Sequence, residues 1–159
     1  MKTLIILNPS SAKGKALEIR EEIESEFKKI KLDYKIHISR SREDMICTTK
    51  KNLGKDFYNF IAVGGDGTLH YMANVLARTE KNLGVIPTGS GNDIAINLGI
   101  SSNVKKCCRI IKKGNVKRLD LGDTQYDSVY YLPNFYKDLW LEADWSLSWK
   151  LILFFLCLV

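Results

Sequence analysis

The feature that most constrains the fold is the alternation of short apolar runs with longer amphipathic segments. Residues 4–7, 57–63 and 83–86 are apolar runs too short for an ordinary helix. Residues 34–38 alternate between large apolar and polar side chains, which is the period of a strand. The segments between these runs carry apolar residues at helical spacing. This order predicts right-handed crossovers and an α/β fold of three layers, with helices on both faces of a mostly parallel sheet.

The same periodicities predict the individual elements. One helix is indicated by Ala16, Ile19, Ile23, Phe27 and Ile30, which recur at spacings of three and four. A second helix begins near Ser41, because Asp44 three residues later forms a capping-box pattern. We predict helices at residues 15–30, 41–53, 68–78, 92–98 and 104–113, and strands at residues 4–7, 34–38, 57–63, 83–86 and 116–121.

Charge and cysteine content limit the classes of function. The chain has 159 residues and a net charge of +6, with lysine clusters at 28–31, 50–51, 105–106 and 112–113. These clusters are either solvated helix faces or a surface for an anionic partner such as a nucleotide or a membrane. No zinc-finger spacing or aromatic-basic motif supports a nucleic acid partner. Since the four cysteines lack CxxC spacing, we expect free thiols in a cytoplasmic protein.

The start of the chain fits a buried strand better than a secretion signal. The apolar run after Lys2 stops at Asn8-Pro9, after four residues. A signal peptide needs a longer apolar region. We therefore expect a cytoplasmic location, extending to the inner face of the membrane if the partner is a lipid.

Three loops rich in glycine and hydroxyl residues follow predicted strands, at residues 8–14, 64–68 and 87–93. In parallel sheets, ligands bind outside the carboxyl ends of the strands. The loop at Gly64–Thr68 reads GGDGT and leads into a helix, whose free N–H groups favour a phosphate. A carboxylate there repels phosphate unless a Mg²⁺ ion lies between them, so Asp66 is a candidate metal ligand. The alternative is a plain tight turn with Asp66 or Thr68 as the N-cap.

The other two loops offer hydroxyls, free backbone and cations. Residues 87–93 provide Thr88 and Ser90, and Asn92 or Asp93 can cap the next helix. Residues 8–14 provide Asn8, two serines and a lysine. Neither a Walker A sequence nor a GxGxxG fingerprint is present, and no GxSxG segment supports acyl transfer. His37 is expected to be structural, whereas His70 is close enough to the glycine loop to contact a phosphate.

The segments NPSSAKGK, AVGGDGTLH and LGVIPTGSGNDIAINLGI, in this order, resemble the catalytic domain of the diacylglycerol kinase family over residues 2–122. That family includes bacterial lipid kinases, sphingosine kinases and ceramide kinase. NAD kinases and phosphofructokinases carry loops similar to GGDGT, but NAD kinases lack a counterpart of PTGSGNDIA. The resemblance therefore implies transfer of a phosphoryl group from ATP to a lipid hydroxyl, with Mg²⁺ as the second cofactor.

The resemblance also implies which residues form the site. Asp66 is assigned to the metal and to catalysis. Ser90 stands where threonine is common, and His70 stands where asparagine is frequent. The implied ATP-binding residues are Asn8, Pro9, Ser10, Ser11, Ala12, Ser39, Gly64, Gly65, Asp66, Gly67, Thr68, Leu69, His70, Thr88, Gly89 and Ser90.

The resemblance ends before the end of the chain. Residues 1–122 are predicted to be the nucleotide-binding domain, and residues 123–159 a tail in place of the β-rich domain that holds lipid and the general base in the family. The tail contains Trp140, Trp145 and Trp149 and ends in LILFFLCLV. This end is a remnant, a segment in a membrane interface, or a helix packed on the domain.

The possible partners and activities follow from these expectations. The expected partners are ATP, a lipid at a membrane surface and, as a further option, a second copy of the chain in a homodimer. Two alternatives to a lipid kinase stay open at this point. One is a nucleotide-binding module without turnover, and the other is a NAD-kinase-like enzyme.

Overall fold

A computed structural model describes residues 2–123, 129–131 and 149–154. These residues form one seven-stranded sheet, in the order β2-β1-β3-β4-β7-β5-β6. The strands are β1 (Lys2–Leu7), β2 (Tyr34–Ile38), β3 (Phe57–Gly64), β4 (Asn82–Pro87), β5 (Val116–Asp123), β6 (Val129–Tyr131) and β7 (Trp149–Phe154). The helices are α1 (Ala16–Lys29), α2 (Arg42–Lys51), α3 (Asp66–Leu76), α4 (Asp93–Asn97) and α5 (Val104–Lys113), and a 3-10 turn covers Pro9–Ala12.

The predicted elements are confirmed with small shifts at their ends. The capping-box prediction is confirmed for α2, since Ser41 Oγ accepts a hydrogen bond from the Asp44 N–H at 3.2 Å. Helix α3 begins at Asp66 rather than at Thr68, with Gly65 in the N-cap position. Asp66 therefore lies in the first turn of a helix and not in the loop before it.

The predicted three-layer α/β arrangement is confirmed. Strands β2, β1, β3 and β4 are parallel to one another. Helix α1 packs against α5, and α2 packs against α3. The connection from β1 to β2 crosses the sheet in one direction, and the connections from β2 to β3 and from β3 to β4 run in the opposite direction. Right-handed connections therefore place α1 on one face and α2 and α3 on the other. Four consecutive residues of β1, Leu4 to Leu7, are buried, as expected for a strand covered on both faces.

The strand order locates the point at which a ligand is expected to bind. From β1 the chain passes through α1 to β2 on one side, and then through α2 to β3 on the other side of β1. The loops that leave the carboxyl ends of β1 and β3 therefore diverge to opposite faces of the sheet. In open α/β sheets, ligands bind in the crevice that such a divergence opens.

The sheet also includes a strand that the sequence did not predict. Strand β7 pairs in parallel with β4 and antiparallel with β5, so it separates these two strands. A packed helix is therefore wrong for residues 149–154, which are extended. Trp140, Trp145 and residues 155–159 lie outside the described residues, and the division into a domain and a tail stays a prediction. Among the described residues, no helix is both long and apolar enough to cross a bilayer.

A buried row of polar side chains joins three strands near the amino ends of β1, β3 and β4. Asn59 Nδ2 donates to Thr3 Oγ1 at 3.5 Å, and Asn82 Nδ2 donates to Asn59 Oδ1 at 3.0 Å. All three residues are nearly inaccessible to solvent. Since a buried amide without a partner is costly, a shift of one strand past another would break this row. The row therefore fixes the register that aligns the carboxyl ends of the same strands.

We expect Asn59→Ala to lower the free energy of unfolding by about 1–3 kcal/mol, because it leaves the buried amide of Asn82 without its acceptor. Urea unfolding followed by circular dichroism measures the change. Asn115→Ala removes an amide from an exposed turn and should change stability by less than about 0.5 kcal/mol. Equal stabilities for the two variants would contradict a register-fixing role for Asn59.

Candidate functional site

The three loops predicted from the sequence meet at the carboxyl edge of the sheet. Asn8 Nδ2 donates to Thr68 Oγ1 at 3.0 Å, which joins the loop after β1 to the start of α3. The Ser11 and Thr88 hydroxyls are 3.1 Å apart, and the Thr88 N–H donates to the Gly64 carbonyl at 3.0 Å. Side chain and backbone bonds therefore connect the loops after β1, β3 and β4 into one structure at the predicted binding edge.

Glycines are required at two crowded positions in the second and third of these loops. A Cβ atom on Gly89 would lie 2.6 Å from the Cα of Gly65, closer than real Cβ contacts. A Cβ atom on Gly64 would collide with the side chain of Thr68. Gly67 differs, because a Cβ atom there has no neighbour within 4 Å. Gly64 and Gly89 are therefore required by packing, whereas the described structure leaves open space beside Gly67.

Asp66 connects the two glycine-rich loops through its carboxylate. Its Oδ2 accepts from the Asp93 N–H at 3.0 Å, and its Oδ1 accepts from the Ile94 N–H at 3.1 Å. These two N–H groups begin α4 and have no partner within their own helix. Asp66 therefore caps α4 from the first turn of α3. The alternative in which Asp66 or Thr68 caps α3 is wrong, because Gly65 holds that position.

Asn92 has a different role from the cap that the sequence allowed. It adopts a left-handed conformation with φ of 60°, which asparagine tolerates better than most residues. Its Oδ1 accepts from the Gly89 N–H at 3.0 Å, and its Nδ2 donates to the Gly89 carbonyl at 2.8 Å. The side chain thus braces the loop from within, and the first N–H groups of α4 are left for Asp66.

The donor chemistry of the site fits Mg²⁺ held mainly by water and phosphate. Each oxygen of Asp66 accepts one hydrogen bond and keeps a lone pair, so the carboxylate can still act as a hard oxygen ligand. Within the described residues, no group of three or more His, Cys, Asp or Glu side chains is arranged around a common point. Mg²⁺ commonly binds through one or two carboxylates together with substrate phosphates. The metal role of Asp66 stays a prediction.

The remaining residues predicted to bind ATP differ in how far they are exposed to solvent. Ala12, Ser39 and Leu69 are buried, so their side chains do not face solvent at the site. Ser39 Oγ also donates to the Leu7 carbonyl at 3.1 Å. Pro9 opens the 3-10 turn, and Ser10 and Ser90 are exposed. The N–H of Ser10 donates to Asn8 Oδ1 at 3.1 Å, which orders the loop after β1.

The two histidines lie in different surroundings. Partial burial lowers the pKa of His70, which favours its neutral form near pH 7. His37 Nε2 lies 2.9 Å from Asp44 Oδ2, and Asp44 Oδ2 also accepts from the Arg40 N–H at 2.8 Å. The bond from the Arg40 backbone, and after it the bond with His37, lowers the pKa of Asp44. His37 thus joins the end of β2 to α2, in agreement with the structural role expected for it.

The chain matches a family of known proteins over most of its length. The sequence pattern of the diacylglycerol kinase catalytic domain matches residues 2–124, which are most of the chain. The chain belongs to the diacylglycerol kinase catalytic domain family. The three loops that meet at the carboxyl edge of the sheet all lie within the matched residues.

Individual relatives agree with this family. A diacylglycerol kinase of Staphylococcus carnosus is 28% identical over 130 residues, which are 80% of this chain and 42% of that protein. Sphingosine kinase B of Dictyostelium discoideum is 28% identical over 142 residues, which are 83% of this chain and 18% of that protein. A crystal structure of a diacylglycerol kinase from Bacillus anthracis superposes with a TM-score of 0.73 at 25% identity, covering 81% of this chain and 45% of that one. The chain thus spans less than half the length of these relatives.

We expect Asp66→Asn to weaken the contact between the two glycine-rich loops. The side-chain amide of asparagine has one oxygen, so it cannot accept from both N–H groups in the bidentate manner of a carboxylate. The substitution also removes the negative charge that a helix N-terminus favours. The amides of Asp93 and Ile94 should exchange with solvent faster, corresponding to a loss of about 1–2 kcal/mol of local stability.

Amide hydrogen exchange measured by NMR tests this effect residue by residue. The matched control is Asp56→Asn, which removes the same charge from an exposed position outside the three loops. Unchanged exchange at Asp93 and Ile94 in the Asp66 variant would show that the carboxylate does not hold the two loops together.

Proposed function

We propose that this chain binds Mg·ATP at the crevice between β1 and β3 and serves as the nucleotide-binding part of a lipid kinase. The observation that carries the proposal is the meeting of the three loops at the point where the chain reverses direction along the sheet. Asn8, Thr68 and Thr88 belong to three different loops, and hydrogen bonds connect all three loops. Pre-ordered loops reduce the entropy that binding costs.

The start of α3 supports a phosphate in this crevice. The first N–H groups of a helix have no partner in that helix, and the helix dipole favours an anion there. In α3 these N–H groups belong to Asp66, Gly67 and Thr68. Since nothing lies within 4 Å of a Cβ atom added at Gly67, a phosphate can approach the backbone at that point.

The residues at this edge of the sheet offer what phosphoryl transfer requires of a protein. Catalysis of this transfer consists mostly of positioning and of stabilising charge. The backbone at the start of α3 and the hydroxyls of Ser11 and Thr88 would orient the phosphates, while Asp66 would hold the metal. Bound Mg²⁺ supplies charge neutralisation on the phosphate oxygens. The transferred group would pass to a lipid hydroxyl, as the names of the relatives suggest for the acceptor class.

The second candidate that the sequence leaves open is a nucleotide-binding module without turnover. The chain spans 42% of the Staphylococcus carnosus relative and 45% of the Bacillus anthracis chain. A complete kinase also needs a pocket for the lipid and a base for its hydroxyl. Both candidates require Mg·ATP binding, and only the first requires transfer by this chain.

We expect Gly67→Ala to separate folding from nucleotide binding. The new methyl group meets no neighbour, and alanine is the better helix former, so stability should stay equal or rise by up to about 1 kcal/mol. The same methyl group would crowd a phosphate at the helix N-terminus. Isothermal titration calorimetry should therefore show Mg·ATP binding about tenfold weaker or more, a loss of about 1.4 kcal/mol.

The control is Gly54→Ala, since a Cβ atom at Gly54 also meets nothing within 4 Å and the residue lies outside the three loops. This variant should bind Mg·ATP with unchanged affinity. If the unaltered folded chain produces no binding heat with Mg·ATP, or if both alanine variants bind alike, the proposed site is wrong.

Transfer of labelled phosphate distinguishes the remaining candidates. For a lipid kinase, the 159-residue chain should transfer the γ-phosphoryl group of ATP to diacylglycerol in mixed micelles, and Asp66→Asn should abolish transfer. Binding without any transfer would establish the module without turnover. Transfer to NAD in place of lipid would instead establish the NAD-kinase-like alternative.

A further inference from the structure

The exposed side of α5 is uniformly cationic. The buried side of this helix is apolar and consists of Val104, Cys107, Cys108, Ile110 and Ile111. Every other residue of the helix is exposed and carries a positive charge. These residues, which we call the basic face, are Lys105, Lys106, Arg109, Lys112 and Lys113.

Other helices of the same domain do not show this pattern. Helix α1 mixes five glutamates with one arginine and two lysines, and pairs Arg20 with Glu24 at 2.8 Å. Helix α2 likewise mixes acidic and basic residues. The basic face alone carries five positive charges, whereas the whole chain has a net charge of +6. The excess positive charge of the chain is therefore concentrated on one helix, and positive and negative charges nearly balance in the rest of the sequence.

The spacing within the basic face opposes helix stability. Arg109 lies three or four residues from each of the four lysines of the face. Like charges at these spacings repel one another on a helix surface, by a few tenths of a kcal/mol per pair. Uncharged polar residues would keep the helix soluble without this repulsion. An anionic partner laid against the helix would relieve it.

Two glutamates of α1, Glu22 and Glu26, lie within electrostatic range of Cys108 on α5. Glu26 of α1 is nearly buried and pairs with Lys29 at 2.8 Å. Lys105 and Arg109 are close enough to contribute to the electrostatic environment of Glu26. At the far end of α5, Lys112 Nζ approaches the Lys31 carbonyl at 3.4 Å, so the lysines that end α1 continue the positive surface. The acidic residues of α1 thus lie beside α5, whereas the exposed side of α5 itself carries only positive charge.

We propose that the basic face docks on a bilayer that carries anionic lipids. Each lysine or arginine near such a surface contributes attraction of about 1 kcal/mol, so the face can hold the protein at the membrane without inserting into it. The five positions contain no aromatic residue, which argues against single-stranded nucleic acid, whose bases stack on aromatic side chains. This inference rests on the proposed function in one respect, since a lipid acceptor is reached at a membrane.

Vesicle co-sedimentation of the 159-residue chain tests the proposal. The chain should sediment with phosphatidylcholine vesicles that contain phosphatidylglycerol, not with phosphatidylcholine alone, and added salt should release it. The triple variant Arg109→Gln, Lys112→Gln and Lys113→Gln should bind the vesicles that contain phosphatidylglycerol at least about tenfold more weakly. The matched control, Lys35→Gln, Lys50→Gln and Lys51→Gln, removes three charges from exposed positions on β2 and α2 and should partition almost as the unaltered chain does.

Three results would overturn the proposal. They are equal loss of binding in the two triple variants, equal binding to vesicles with and without phosphatidylglycerol, and binding of single-stranded RNA by a chain that does not bind vesicles. Circular dichroism and urea unfolding of both triple variants establish that they are folded. The assay contains neither ATP nor diacylglycerol, so its outcome is independent of the nucleotide-binding test of the proposed function.

Discussion

The pair of hydrogen bonds from the start of α4 to the carboxylate of Asp66 is the interaction on which the site depends. It places a negative charge at a helix N-terminus, where the dipole and two free N–H groups stabilise it. The same two loops also pack closely, since a Cβ atom on Gly89 would lie 2.6 Å from the Cα of Gly65. A carboxylate beside a proposed phosphate site is therefore stabilised even before a metal ion is considered.

Much of the fold follows from local sequence signals. Buried parallel strands require continuous apolar runs, and helices that cover them require apolar residues at helical spacing, so β1, β3 and α1 could be predicted with nearly their observed bounds. The meeting of the three loops could also be predicted, because parallel strands end at one edge of their sheet. The family pattern supplied the site residues, and the structure explains why Gly64 and Gly89 must lack a side chain.

Long-range contacts account for what the sequence did not predict. Asp66 caps a helix that begins 27 residues later, and no short-range pattern encodes such a pairing. Strand β7 lies between β4 and β5 although its sequence, WKLILF, has an apolar run that also suits a helix or a membrane interface. Pairing partners in a sheet decide between these options, and they are distant along the chain. The sequence also allows Asn92 to cap α4, because the bond between its side chain and Gly89 exists only in the folded loop.

The central claim is that nucleotide binds where the three loops meet, and NMR chemical-shift mapping tests it most directly. During titration with Mg·ATP, we expect the largest amide shifts of the 159-residue chain at residues 8–11, 64–68 and 88–91. Residues on the basic face and at the amino ends of the strands should shift little. Saturable shifts centred away from these three loops would show that the nucleotide binds elsewhere.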